Sequence, residues 1–146
     1  MKKTFLILLM PILLISCHLS NKHINRESDK QDAEKITAEL FEFLKQSDFG
    51  NASDLFSDRF FEVTTKAELL VIFEGTSKKL GTLNKTELTD WNTTISEGAI
   101  DAGIYNLLYN ADFEIDKAAI NISLEKSENG NIKIIGYTIK SNAFMN

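Results

Sequence analysis

The stretch Tyr105-Asn106-Leu107-Leu108-Tyr109-Asn110-Ala111-Asp112-Phe113-Glu114-Ile115 decides how this chain reads. Tyr105, Leu107, Tyr109, Ala111, Phe113 and Ile115 share one side of a two-residue period, and Asn106, Asn110, Asp112 and Glu114 share the other. That alternation predicts a long strand with one buried and one wet face. Downstream, Ala118, Ile120, Ile122 and Leu124 repeat the pattern, and Asn129-Gly130 predicts a two-residue type I′ hairpin turn. The next segment, Ile132 to Ser141, is apolar on both faces (Ile132 and Ile134; Ile135, Tyr137 and Ile139). It reads as a central strand or one bulged at Gly136. Upstream, Trp91, Thr93 and Ile95 alternate with Asp90, Asn92, Thr94 and Ser96, and a turn follows near Glu97-Gly98. The count is four antiparallel strands.

Before Gly81 the period is helical. Ala33, Ile36, Leu40, Phe41 and Leu44 recur at three- and four-residue steps and predict an amphipathic helix from Ser28 to about Ser47. Ser28 and Gln31 have capping-box spacing. Asp48-Phe49-Gly50-Asn51 breaks that helix, and a short second one is expected from Ala52 to Ser57. Phe60-Phe61-Glu62-Val63 reads as a linking turn. Thr65 with Glu68 opens a third helix carrying Leu69, Leu70, Ile72, Phe73 and Leu80, and Gly81 is placed to end it. The expected fold is α+β, with three N-terminal helices packed on one face of a curved four-stranded antiparallel sheet.

The N-terminus carries a different message. Lys2-Lys3 precedes an apolar run from Phe5 to Ile15, the anatomy of a secretory signal peptide and too short for a membrane span of about 20 residues. Leu14-Ile15-Ser16-Cys17 resembles a bacterial lipobox. That resemblance implies cleavage between Ser16 and Cys17, a diacylated Cys17 thiol, and palmitate or another acyl chain on the new amino group. Several acyl chains give a stable anchor where one is marginal. Residues 1–16 are thus expected to be a lipoprotein signal peptide, 17–28 the lipidated cysteine with a flexible tether, and 29–146 a single α+β domain. Extended, the 11 residues after Cys17 would reach about 36–40 Å. Both histidines, His18 and His23, fall in this polar stretch and read as solvated. The expected location is the cell envelope, at the outer membrane facing the periplasm.

The chain has 146 residues and a formal charge of −5. Loss of Lys2 and Lys3 with the signal would leave −7, which argues against nucleic acid and against docking on anionic headgroups by charge. One Cys and one Pro exclude a disulfide framework and a collagen-like chain. No His or Cys is expected inside the domain, so no metal site, cofactor or Ser/His machinery is anticipated. Asp90, Asp112 and Glu114 fall opposite the apolar faces of their strands, where solvated charges belong.

The order of elements resembles the nuclear transport factor 2-like domains, in particular small secreted or lipid-anchored bacterial members of unknown function. The pieces that carry this are the Ala33–Leu44 helix, Asp48-Phe49-Gly50 with Leu55-Phe56-Ser57, Trp91, the Tyr105–Ile115 strand, and Gly130 with Ile135-Gly136-Tyr137-Thr138-Ile139-Lys140. Ile132 departs from the tryptophan usual there. The resemblance implies a cone, whose possible pocket residues here are Trp91, Tyr105, Tyr109 and Tyr137. The expected function is a lipid-anchored, non-catalytic binding or interaction module. The alternatives are a carrier of a small apolar ligand in the cone and a carboxylate-dependent acid–base enzyme. A homodimer is a further expectation.

Overall fold

The computed structural model describes residues 21–98 and 102–145. The signal peptide, Ser16 and Cys17 lie outside the described residues. Five strands form one antiparallel sheet in the order β1 (Asn21–Ile24), β2 (Leu83–Glu97), β3 (Ala102–Phe113), β4 (Lys117–Lys126) and β5 (Ile132–Lys140). Four helices stand between β1 and β2: α1 (Glu27–Lys45), α2 (Phe49–Asp54), α3 (Asp58–Phe61) and α4 (Lys66–Leu80). A 3₁₀ turn, Asn142–Phe144, follows β5.

This corrects the expected three N-terminal helices and four strands. The extra strand is β1, which precedes the helices and pairs with the far end of β2, Asn21 opposite Glu97 and Ile24 opposite Thr94. A four-residue strand shows no period in sequence; its ladder to β2 is entirely non-local. Residues 21–24, read above as tether, therefore belong to the sheet. The extra helix is α3, where Phe60-Phe61 was read as a turn. Ser57 caps it by accepting from the Phe60 amide, and one turn is too short to show a helical stripe.

Other boundaries moved for local reasons. The first helix starts at Glu27 with Arg26 before it, and Ser28 does not cap it, since Arg26 has no side-chain cap bond. The second starts at Phe49, because Asp48 accepts from the Asn51 amide. The helix expected after Thr65 is α4, with its capping box between Thr65 and Glu68, and the Thr65 amide holds the Glu68 carboxyl below its ordinary range. The β4–β5 connection is not a two-residue type I′ turn. Ser127 and Asn131 pair across a three-residue loop in which Gly130 alone has positive φ (84°).

Two irregularities explain what the alternation hid. In β2 the register slips between Leu83 and Lys85 and again between Leu88 and Asp90. Each slip reverses the parity, so Leu83, Leu88 and Trp91 all lie opposite inward β3 residues although their spacing is uneven. In β5 the pairing jumps at Ser123/Leu124, leaving Ile135 as the extra residue just before Gly136. Ile134 and Tyr137, of opposite parity, consequently face Leu124 and Ile122 on the same side. The strand is an edge, but Phe56 bridges to Ile134 and shields it.

One face of the sheet packs on the helices. Leu107, Ile120, Ile122, Leu124 and Ile134 are fully buried there beneath Ala33, Leu40, Phe41, Leu69 and Phe73. Each such aliphatic side chain stabilises the fold by about 1.5–3 kcal/mol on burial. Ile115, expected inward, is 67% exposed. The strand ends at Phe113, and the turn after it is stitched to the end of α4, with the Ile115 amide donating to the Leu80 carbonyl (2.8 Å) and the Glu114 amide to Thr82 (2.9 Å).

Gly81 makes that junction possible. Its φ of 79° and ψ of −161° lie in a region reserved for glycine, and an added Cβ would sit 2.8 Å from the Glu114 Cβ. Gly81→Ala should lower stability by about 2 kcal/mol. Urea denaturation should show this as a lower midpoint at unchanged slope.

Candidate functional site

The four aromatics proposed for a cone mouth do not converge. Tyr105 and Tyr109 follow one another along the inner face of β3 and are almost wholly buried, at 1% and 5% exposure. Tyr109 lies 2.6 Å from the Thr37 hydroxyl and edge-on to Phe41. Tyr137 packs against Phe56 and Phe73 under the other side of the helical layer. Trp91 sits half-buried at the β2 edge beneath the Lys30 ammonium, 5.4 Å from the ring centre. The space beside Tyr137, closed by Leu44, Phe49, Phe73 and Phe113, is about 20 Å³, room for one water molecule and no more. The side chains that could have lined a pocket fill it instead.

Burial raises all three phenols. Tyr105 is pushed up to about 12 by burial and by the nearby Asp29 and Asp32 carboxylates. Tyr109 also reaches about 12 through burial, which the Thr37 hydrogen bond partly offsets. Tyr137 rises too, from burial alone. A group with a raised folded pKa contributes stability that is intact below its unfolded pKa and lost as pH rises through the folded value. The chain has three tyrosines. Their tyrosinate absorbance should therefore stay flat through pH 10 and rise in one cooperative step with unfolding near or above pH 12; a gradual rise centred at 10 would contradict this placement.

The acids named in the sequence face outward. Asp90 and Glu114 are exposed, and Asp112 pairs with Lys117 at 3.2 Å on the solvent side of the sheet. On this outer face Asn106 donates to Asn92, and Ser123 donates to Asn106.

The polar cluster that sequence reading missed lies where β1 meets α1. Asp29 is only 5% exposed. The Arg26 guanidinium donates to both its oxygens and, through Nη2, to Glu97 Oε1 at 2.6 Å. His23 Nε2 lies 3.2 Å from the other Glu97 oxygen. Asn25, at φ 52°, closes the corner by bonding the backbone of Thr93 twice. Asp29 also stands in the first turn of α1, where the helix dipole favours an anion. His23 is thus part of the folded domain, against the expectation that no histidine would be. The one available signal was acid–base spacing, Arg26 three residues before Asp29; Glu97 is brought in only by the fold.

The cluster fastens β1 to β2. Arg26 holds the Glu97 carboxyl below its ordinary range. A lowered folded pKa contributes stability above the unfolded pKa, about 4.3 for Glu, and this is lost as pH falls through the folded value. The protection factors of the Lys22–Ile24 amides should fall below pH 4 before those of the rest of the sheet, and Arg26→Ala should lower them at neutral pH.

Another concavity lies elsewhere. A shallow groove of about 670 Å³ at the opposite end of the sheet is bordered by Glu87, Asp112, Lys117, Ile139, Lys140 and Phe144. The C-terminal turn forms one wall, with Ser141 donating to Asp116 at 2.8 Å. Among the described residues no group of three or more His, Cys, Asp or Glu is placed to hold a metal, and no helix is long and apolar enough to cross a membrane. No family model, curated protein or solved structure matches this chain. The resemblance drawn above stands on its quoted residues alone.

Proposed function

We propose that this chain is a small lipoprotein of the cell envelope, anchored through Cys17 and working as a binding or interaction module without catalysis of its own. One observation carries the reading: Leu14-Ile15-Ser16-Cys17 at the end of an apolar run behind Lys2-Lys3. The chemistry needs a cysteine there because its sulfur is the most nucleophilic side-chain atom available for acyl-glyceryl transfer. The shape of the domain supports the second half of the proposal. The acids Asp90, Asp112 and Glu114 face solvent, the space beside Tyr137 is about 20 Å³, and the groove beside Phe144 is open and carries charges of both signs. Such a groove suits contact with a polar macromolecular surface better than enclosure of an apolar ligand.

The anchor is tested by expressing the full chain in a bacterium that processes lipoproteins. Mass spectrometry of the wild type should find a protein beginning at Cys17 and heavier by a diacylglyceryl group and an acyl chain. Cys17→Ala should move the protein from the membrane to the soluble fraction or leave its signal uncleaved. A Cys17→Ala protein that is cleaved yet stays membrane-bound would refute the anchor.

A further inference from the structure

Asn21 opposes Glu97 in an antiparallel pair. The N-terminal end of β1 therefore lies at the end of the sheet where β2 runs out, at Glu97. Only His18-Leu19-Ser20 stand between Cys17, the residue to be acylated, and Asn21, the first paired one among the described residues. Four residue steps span at most about 13–14 Å. The same end of the sheet carries the start of β3 at Ala102, paired through Ser96, and the β4–β5 loop, since Gly103 opposes Lys126 and Lys126 opposes Ile132.

We propose that the bilayer lies against this end of the sheet, so that Asn21, Gly98, Ala102 and the Ser127–Asn131 loop face the headgroups and the strands stand up from the membrane. The inference rests on the lipid anchor at Cys17. Three observations support it beyond the length of chain. The clasp of Arg26 on Asp29 and Glu97, with Asn25 on Thr93, fixes β1 to the sheet, so the short lead cannot lengthen by peeling. The two glutamates on the ladder at this end, Glu97 and Glu125, are each bound by an arginine, Arg26 and Arg59, which lowers the charge opposing an anionic surface. Lys22 is exposed in β1, and Lys126 borders the loop. The groove of Lys117, Lys140 and Phe144 then lies at the far end of β4, whose 10 residues extend about 33 Å. It faces away from the membrane, open to a soluble partner.

The chain has a single cysteine, and acylation consumes its thiol. An introduced cysteine is thus the unique point for a fluorophore. Glu128→Cys marks the β4–β5 loop and Ile115→Cys the opposite turn, both at exposed positions. The full-length lipidated variants are reconstituted in phosphatidylethanolamine–phosphatidylglycerol vesicles bearing a headgroup-linked quencher. The label at 128 should be quenched several-fold more than the label at 115. Insertion of about twelve Gly/Ser residues between Ser20 and Asn21 should keep the protein on the vesicles and bring the two signals together. Equal quenching in the membrane-bound, uninserted protein would overturn the orientation and leave the anchor intact. Strong quenching at 128 that survives the insertion would overturn the short lead as its cause. Protein that carries no lipid and stays in solution would overturn the anchor and this inference with it.

Discussion

Between α1 and β3 two hydroxyls meet out of water, Thr37 Oγ1 and the Tyr109 oxygen at 2.6 Å. The contact sets how the long helix lies on the sheet. Thr37 also back-bonds to the Ala33 and Glu34 carbonyls, so its hydroxyl is satisfied within the helix and against the strand at once. Phe41, one turn on, meets the Tyr109 ring edge-on at 4.9 Å. With the polar tip of Tyr109 matched in this way, its ring can be buried without the cost of a stranded hydroxyl. Tyr105, Leu107 and Ala111 follow it inward by the period of the strand. Ile122 and Ile120 lie opposite Leu107 and Tyr109 on β4, and Tyr137 and Ile139 lie opposite those in turn.

Much of this was legible in the residues because it is local. The Thr65–Glu68 box, the Gly81 stop, the α1 stripe and the alternation of β3 and β4 each declare themselves within a few positions. What was not legible depended on partners far away in the chain. β1 has its ladder with residues 94–97, and nothing in Asn21-Lys22-His23-Ile24 foretells it. The first half of β2 was obscured because its two register slips break the period that identifies a strand. The same effect in β5 left a visible trace, an apolar residue on both parities, which allowed either a central strand or a bulge at Gly136; the strand is bulged and lies at the edge. The four aromatics show the opposite limit. Their types were read correctly as amphipathic, but type does not say whether neighbouring rings will leave a space or close it.

The Arg26 cluster changes the meaning of the N-terminal segment. A polar stretch with two histidines reads as solvated tether, and four of its residues, Asn21–Ile24, are instead a strand whose end is held by Arg26 on Glu97. The guanidinium fork meets both Asp29 oxygens, and the first turn of α1 favours a negative charge there. Removing Arg26 would leave that charge uncompensated, which costs more than the pair contributes over an apolar substitute. The cluster therefore fixes where the chain enters the fold more than it adds to overall stability.

The register slips in β2 carry one more consequence. Beyond β1, residues 83–92 form a sheet border that no strand covers among the described residues. A straight border of that length offers a continuous row of amides and carbonyls, and a second copy could extend the sheet across it. Here the row is interrupted at Asn84 and Thr89 and interspersed with Lys85, Glu87 and Asp90. No run of more than a few residues presents evenly spaced donors and acceptors. A border so broken is a poorer template for a further strand than a straight one.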